Sequence, residues 1–191
     1  MKKGKIIIVS APSGSGKSTI LSYILSRPEL NPYFSISATS RAPRGAEKHG
    51  CEYHFLTKED FEQKISEGAF IEYEEVYSGT YYGTLRSEVD TPRAEGKNVF
   101  LDIDVKGALR LKKEFGNDAL FIFIQPPSLE VLRERLIRRG TETAEKIDLR
   151  LARAEEELSY ARYADQVIVN DNLDEAKKLC YTVIKAYLEL D

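Results

Sequence analysis

Four consecutive apolar residues, Ile6 to Val9, run directly into the stretch SAPSGSGKST at 10–19. An apolar run this short, bounded by a Gly/Ser turn, reads as a buried strand. Ile20, Leu21, Ile24 and Leu25 then recur at helical spacing, so the order is strand, glycine loop, helix. A loop that cradles phosphate must present backbone N–H groups without intervening side chains, and Gly14 and Gly16 permit that approach. Lys17 opens the helix and can reach a β- or γ-phosphate. The Ser18 hydroxyl is placed to ligate Mg²⁺, and the helix N-terminus adds its dipole. Ala11 stands where the strict pattern has glycine. Alanine disfavours positive φ, so ordinary geometry is expected there, with the phosphate contacts supplied further along. Ala11, Pro12, Ser13, Gly14, Ser15, Gly16, Lys17, Ser18 and Thr19 together form the expected nucleotide-phosphate site.

At 191 residues, with 42% hydrophobic and 31% charged side chains, the chain suits one compact soluble domain. No apolar run approaches the ~20 residues of a membrane span. The basic start is followed by too short an apolar core for a signal peptide. A net charge of −3 argues against a nucleic-acid binder that relies on a broad basic surface. Cys51 and Cys180 lie far apart without metal-ligand spacing, which suits reduced thiols in a cytoplasmic protein. His49 and His54 have too few partners to suggest a metal site or a triad.

Buried strands are expected at 5–10, 98–104 and 119–124, with a fourth short strand at 166–169 and a further strand over 34–38. Helices are expected at 17–25, 57–67, 86–95, 105–115, 128–139 and 143–163. A last helix is capped by Asn172 or Asp174 and shows Ala176, Leu179, Val183, Ala186 and Tyr187 on its apolar face. Pro92 threatens the helix at 86–95. Tyr181, Ile184 and Leu188 suit either the core or a homo-oligomer interface, so oligomeric state stays open. Residues 69–76 read as a strand followed by a turn, SGTYYG. Apolar strands alternating with helices imply an α/β fold, a parallel sheet covered on both faces. Residues 37–89, rich in tyrosine and glycine, read as a small mixed or antiparallel lobe inserted into that core.

A phosphate loop alone fits a GTPase, a motor ATPase or a small-molecule kinase. VNDN at 169–172 lacks the lysine of a guanine-reading N-K-x-D segment. Three features favour a kinase. Arg41 and Arg44 share a polar loop, and guanidinium pairs bind a phosphate dianion by forked, charge-assisted hydrogen bonds; Tyr53 and Tyr82 can add hydroxyls. Arg135 and Arg139 lie four apart on one helix and Arg150 on the next, as in a mobile lid that neutralises a transferring phosphoryl group. Asp102 and Asp104 close a buried strand, where acids face the ligand crevice, and Asp102 suits a role as Mg²⁺ organiser, directly or through water.

Together, SAPSGSGKST, FSISATSRAPRGAEKHGCEYHF, GAFIEYEEVYSGTYYGT, VFLDIDVKGA, IFIQPPSLEVLRERLIRRGTET and VIVNDN resemble the guanylate kinase family, in its order and spacing. The resemblance covers nearly the whole chain, and the second and third segments are its most specific parts. It implies a P-loop NTPase-type three-layer core over about 1–36, 90–125 and 160–191, a GMP-binding lobe over about 37–89 and a helical lid over about 126–159. It implies Mg²⁺-dependent transfer from ATP to GMP or dGMP in the cytoplasm, with no nucleic-acid or membrane partner. By residue, it implies that Arg41, Arg44, Tyr53 and Tyr82 hold the GMP phosphate. Ser37, Glu72 and Thr84 would read guanine, with Asp104 contributing. Lys17, Arg41, Asp102, Arg135, Arg139 and Arg150 would serve the transfer, and Asn170 would approach adenine. Two other readings remain: a monophosphate kinase for another base, and a non-catalytic interaction module of the same fold, which would tend to lose the loop lysine and the lid arginines.

Overall fold

A computed structural model describes residues 2–140 and 143–190. The expected domain over 1–191 and lid over 126–159 therefore include positions 1, 141, 142 and 191, which lie outside the described residues. Among the described residues one sheet is wholly parallel. It holds β1 (Ile6–Ser10), β2 (Pro32–Phe34), β7 (Asn98–Asp102), β8 (Ala119–Gln125) and β9 (Gln166–Val169), in the order β2-β7-β1-β8-β9. Every residue of the central strand β1 is buried, because helices cover both faces. Ile7 and Val9 point towards α1 (Lys17–Leu25) and α7 (Leu173–Glu189), whose Ile20, Ile24, Cys180 and Ile184 complete that side. Ile6 and Ile8 point the other way, towards Val89 of α3 (Arg86–Ala94) and Val105, Ala108 and Leu111 of α4 (Val105–Phe115). Each such fully buried aliphatic contributes about 1.5–3 kcal/mol, which explains why these strands tolerate no polar alternation.

A second sheet, ordered β4-β3-β6-β5, contains β3 (Ala38–Thr39), β4 (His54–Phe55), β5 (Phe70–Tyr77) and β6 (Thr80–Leu85). It is mixed: β3 runs parallel to β4, and the other pairings are antiparallel. Its small core stacks Phe61 of α2 (Lys58–Ser66) on Phe70 at 4.3 Å and on Tyr81 at 5.3 Å. Thr57 caps α2 through the Asp60 N–H, as its sequence suggested. Helices α5 (Leu129–Arg139) and α6 (Ala144–Ser159) pack on each other through Leu132, Leu136, Ile147 and Ala154. No helix among the described residues is long and apolar enough to cross a membrane.

Four expectations change. The strand expected over 34–38 is two strands: β2 belongs to the parallel sheet, β3 to the second, and residues 35–37 cross between them. Its alternation FSISA covers only the last residue of β2 and the first of β3, with the crossing between them. SGTYYG is mostly strand, because the reversal needs only Ser78 and Gly79 before Thr80 pairs back to Tyr77. Pro92 does not break α3, which continues to Ala94. Proline there forfeits one hydrogen bond near the helix end, while Val89, Pro92 and Arg93 are buried. In α7 the inward face is Ala176, Cys180 and Ile184, with Tyr181 and Leu188 packed alongside, whereas Leu179 is 50% exposed and Ala186 is exposed. Ile184 is core, and Tyr181 and Leu188 are partly buried beside it. Asn172 caps this helix, accepting from the N–H groups of Asp174 and Glu175.

Candidate active site

The glycine loop leaves the C-terminal end of β1 and enters α1. Gly14 and Gly16 take φ of 97° and 90°, conformations that favour glycine. Space demands it too: a Cβ on Gly14 would meet Leu132 at 2.9 Å, and one on Gly16 would meet Asn170 Nδ2 at 2.2 Å. Among the described non-glycine residues only Asn31 has positive φ, so Ala11 keeps ordinary geometry as expected. Lys17 heads α1 and pairs with Asp102 at the end of β7. Burial pulls the Lys17 ammonium down to about 8, while the charges of Glu157 and Asp104 act in the opposite direction.

A cleft of about 960 Å³ opens above this loop. Its walls include Ser10 to Gly14, Gly16 to Thr19, Asp102 and Asp104, and it gathers Arg44 from the loop between β3 and β4 with Arg139 and Arg150 from the helical pair. Arg150 donates to Ser13 Oγ at 2.6 Å, so α6 already touches the loop. Asp104 does face the cleft, and it also caps α4 by accepting from the Gly107 N–H at 2.7 Å.

Two expected residues lie elsewhere. Arg135 is not on the cleft wall; it donates to the Asn170 carbonyl at 2.8 Å. Asn170 is 4% exposed and sits beneath the loop, donating to the Ser15 carbonyl at 2.7 Å. Four-residue helical spacing aligned Arg135 with Arg139, but the end of β9 captures the first while only the second reaches the cleft.

The remaining residues lie on the second sheet or in the segments flanking its β3 and β4. Thr84 pairs directly with Glu72 and Tyr82 with Glu74, so Tyr82 and Thr84, two apart on β6, share that face. Tyr81 points to the opposite face, onto Phe61. At one end Arg41 stacks over the Tyr53 ring at 5.0 Å and donates from Nε to Tyr82 Oη at 3.0 Å. Tyr53 meets Tyr82 edge-on at 5.8 Å. Arg44 joins this group through its backbone N–H, which donates to Glu47.

At the other end Thr84 Oγ1 donates to Glu72 Oε1 at 2.7 Å, and Glu72 is 8% exposed. Desolvation raises the Glu72 carboxyl above its ordinary range, with nearby Asp104 adding and the Thr84 hydrogen bond opposing. Ser37 stands beside this pair by register, since the adjoining Ala38 pairs with Gly83. Glu72, Tyr82 and Thr84 thus sit on the second sheet, and Ser37, Arg41, Arg44 and Tyr53 come from the segments flanking β3 and β4.

Sequence reading missed three contributors. Glu47 grips Arg41 with both carboxylate oxygens, at 2.6 and 2.9 Å, and the Arg41 guanidinium, then the Arg44 N–H, hold its carboxyl down at about 2. Its signal was its place in RAPRGAEK, one loop turn beyond the arginines. Gly107 leaves room for Glu72: a Cβ there would meet Glu72 Oε2 at 3.0 Å. Glu157 joins Arg153 on the α6 side of the cleft, and no local pattern in that charged helix distinguishes it.

Ser18 and Asp102 offer the hard oxygen donors Mg²⁺ prefers. Among the described residues no cluster of three His, Cys, Asp or Glu side chains could encage a metal. That donor set fits an ion which brings most of its oxygens as water and phosphate.

A sequence model of the family described as guanylate kinase matches residues 3–187. A guanylate kinase of Bacteroides fragilis is 54% identical over 189 residues, covering 99% of this chain and 92% of that protein. One of Bacteroides thetaiotaomicron is 55% identical over 97% of this chain and 90% of its own length. One of Salinibacter ruber is 49% identical over 98% and 99%. Among solved structures, the crystal structure of guanylate kinase from Anaplasma phagocytophilum superposes with a TM-score of 0.78 at 31% identity, covering 100% of this chain and 89% of that one.

Proposed function

Because the chain belongs to the guanylate kinase family, we propose that its glycine loop, sheet face and arginine-bearing helices divide the two substrates of an ATP:GMP phosphotransferase between them. The enzyme is a nucleoside monophosphate kinase, and the non-catalytic and other-base readings are not favoured. The observation that carries the residue assignment is the single cleft joining the loop, Asp102, Arg44, Arg139 and Arg150.

In this reading the loop amides and Lys17 hold the ATP phosphates. Arg41, Arg44, Tyr53 and Tyr82 hold the phosphate of GMP or dGMP, while Ser37, Thr84 and Glu72 read guanine. Arg41 has both terminal nitrogens on Glu47 and its Nε on Tyr82, so taking phosphate in a fork requires Glu47 to yield. A GMP phosphate oxygen attacks the γ-phosphorus in line, and the bond to the β,γ-bridging oxygen breaks, giving GDP and ADP. The acceptor is already largely ionised near pH 7, so no protein nucleophile or general base is needed. Positioning and charge neutralisation supply the rate, with Arg139 and Arg150 at the transferred group. Arg135 and Asn170 act behind the loop, tying the end of β9 to Ser15 and α5. Ser18 and Asp102 would hold Mg²⁺, which when bound supplies charge stabilisation on the β- and γ-oxygens. A cytoplasmic location belongs to the same proposal, supported by nucleotide substrates and by free Cys51 and Cys180.

A coupled ADP-release assay with GMP, dGMP, AMP, UMP and dTMP tests the reading. Turnover should be confined to the guanine nucleotides. Comparable turnover of AMP would reject the guanine assignment, and no turnover at all would favour a binding module.

The ammonium of Lys17 is the form that attracts phosphate. In the free enzyme burial holds this group at about 8, so ATP affinity should fall as pH rises through that value. Calorimetric titration from pH 7 to 9.5 checks this, after correction for ATP and buffer ionisation. A flat profile would show that Lys17 stays charged.

A further inference from the structure

The chain leaves the parallel sheet at Phe34, crosses at residues 35–37, and enters the second sheet at Ala38. It returns through α3. One carboxylate, that of Glu88 on α3, spans both crossings. Its Oε2 accepts from the Tyr33 hydroxyl of β2 at 2.9 Å and from the Ile36 N–H of the crossing segment at 3.0 Å. Its Oε1 lies 2.9 Å from His54 Nε2 of β4. The Glu88 and His54 side chains are only 14% and 22% exposed, so little solvent competes for these bonds.

The neighbours of the crossing are anchored in sequence. The Ser35 N–H donates to the Phe100 carbonyl of the parallel sheet at 2.9 Å, and the Ser37 carbonyl accepts from the His54 N–H at 2.9 Å. Glu88 therefore holds the residue before Ser37 directly and its far anchor through the imidazole. The helix that carries Glu88 is itself fixed, since adjacent Val89 is fully buried against Ile6 and Ile8. None of these groups reaches the cleft walls, and phosphoryl transfer has no use for them.

We propose that Glu88 is a positioning residue for guanine recognition: it sets the crossing segment so that Ser37 meets the base beside Thr84 and Glu72. The inference rests on the guanylate kinase reading and deepens it. Only the GMP side of the reaction depends on this contact, because the ATP loop hangs from β1 and α1.

The test is steady-state kinetics of Glu88→Ala and Glu88→Gln, alone and with Ser37→Ala. Glu88→Ala removes a charged acceptor from Tyr33, Ile36 and His54, so KM for GMP should rise about 10-fold or more, with kcat and KM for ATP within about 2-fold. Glu88→Gln keeps an acceptor for Tyr33 and Ile36 and offers an N–H to a neutral His54, so it should restore most of that loss. With Ser37 already replaced, Glu88→Ala should add less than about 2-fold, because coupled residues are not additive. An unchanged KM for GMP, an equal rise in KM for ATP, or full additivity with Ser37→Ala overturns the proposal. If Glu88→Ala does not fold, His54→Leu removes the second-sheet grip alone and should raise KM for GMP about 3-fold; no rise there overturns it equally. A wild-type enzyme that does not turn over GMP would instead defeat the underlying reading, so the two failures are distinct.

Discussion

Replacing Lys17 with alanine should lower kcat for GMP phosphorylation by about 10²-fold or more, the range for a lost charge-stabilising donor. The side chain is 21% exposed, heads α1 among the loop amides, and pairs with Asp102 across the cleft floor. Truncation removes an ammonium from the cleft floor where, in the proposed mechanism, the ATP phosphates bind. It also leaves the Asp102 carboxylate facing those phosphates uncompensated, so two unfavourable changes act together. Binding of ATP should weaken, but the larger loss should be in kcat, because the charge on the bridging oxygens grows as the bond breaks. Steady-state kinetics with a circular dichroism check of folding measures it. Near wild-type turnover would remove Lys17 from the mechanism.

The second large effect is expected from Glu72→Gln. Guanine presents N1–H and N2–H₂ side by side, and one carboxylate can accept both. Glu72 is prepared for this: it is buried, Thr84 engages Oε1 only, and the absence of a side chain at Gly107 leaves Oε2 its space. Desolvation raises its carboxyl, which a pair of donated hydrogen bonds would reverse. A glutamine amide can accept one of the two donors but turns its own N–H₂ towards the other. Such a mismatch in a site built for hydrogen bonding costs about 10²- to 10⁴-fold in kcat/KM. GMP should lose that much while KM for ATP stays nearly constant. Equal kcat/KM for GMP in the variant and the wild type would reject Glu72 as the guanine reader.

The core was legible because its signals are local. Continuous apolar strands with helices between them can only be satisfied by a sheet covered twice, and β1, β8 and β9 lie where that pattern put them, while β7 stops at Asp102 and Asp104 caps α4 instead of closing the strand. Thr57, Ser128 and Asn172 cap the helices they precede for equally local reasons. Short strands of the second sheet were less legible. Two-residue β3 carries no period of its own, so FSISA read as one strand although the chain changes sheets within it. Periodicity also misjudged α7, where Leu179 and Ala186 kept the spacing while Cys180 and Ile184 took the core.

The site divides along the same line. The loop from Ala11 to Thr19 is determined by its residues, because glycine geometry, a helix start, a lysine and a serine hydroxyl act over a few positions. The resemblance could name Arg41, Arg44, Tyr53, Tyr82, Ser37, Thr84 and Glu72 as one group, but not say what holds them. Tertiary structure decided that Glu47 occupies Arg41, that Gly107 makes room for Glu72, that Arg135 turns to Asn170, and that Glu88 clasps the crossing from β2 to β3. Each of these joins residues on different elements or in an irregular loop, where spacing along the chain carries no information. Backbone conformation and helix caps are short-range, so the sequence alone determines them. Which carboxylate meets which guanidinium depends on how elements pack, and only the folded chain sets that.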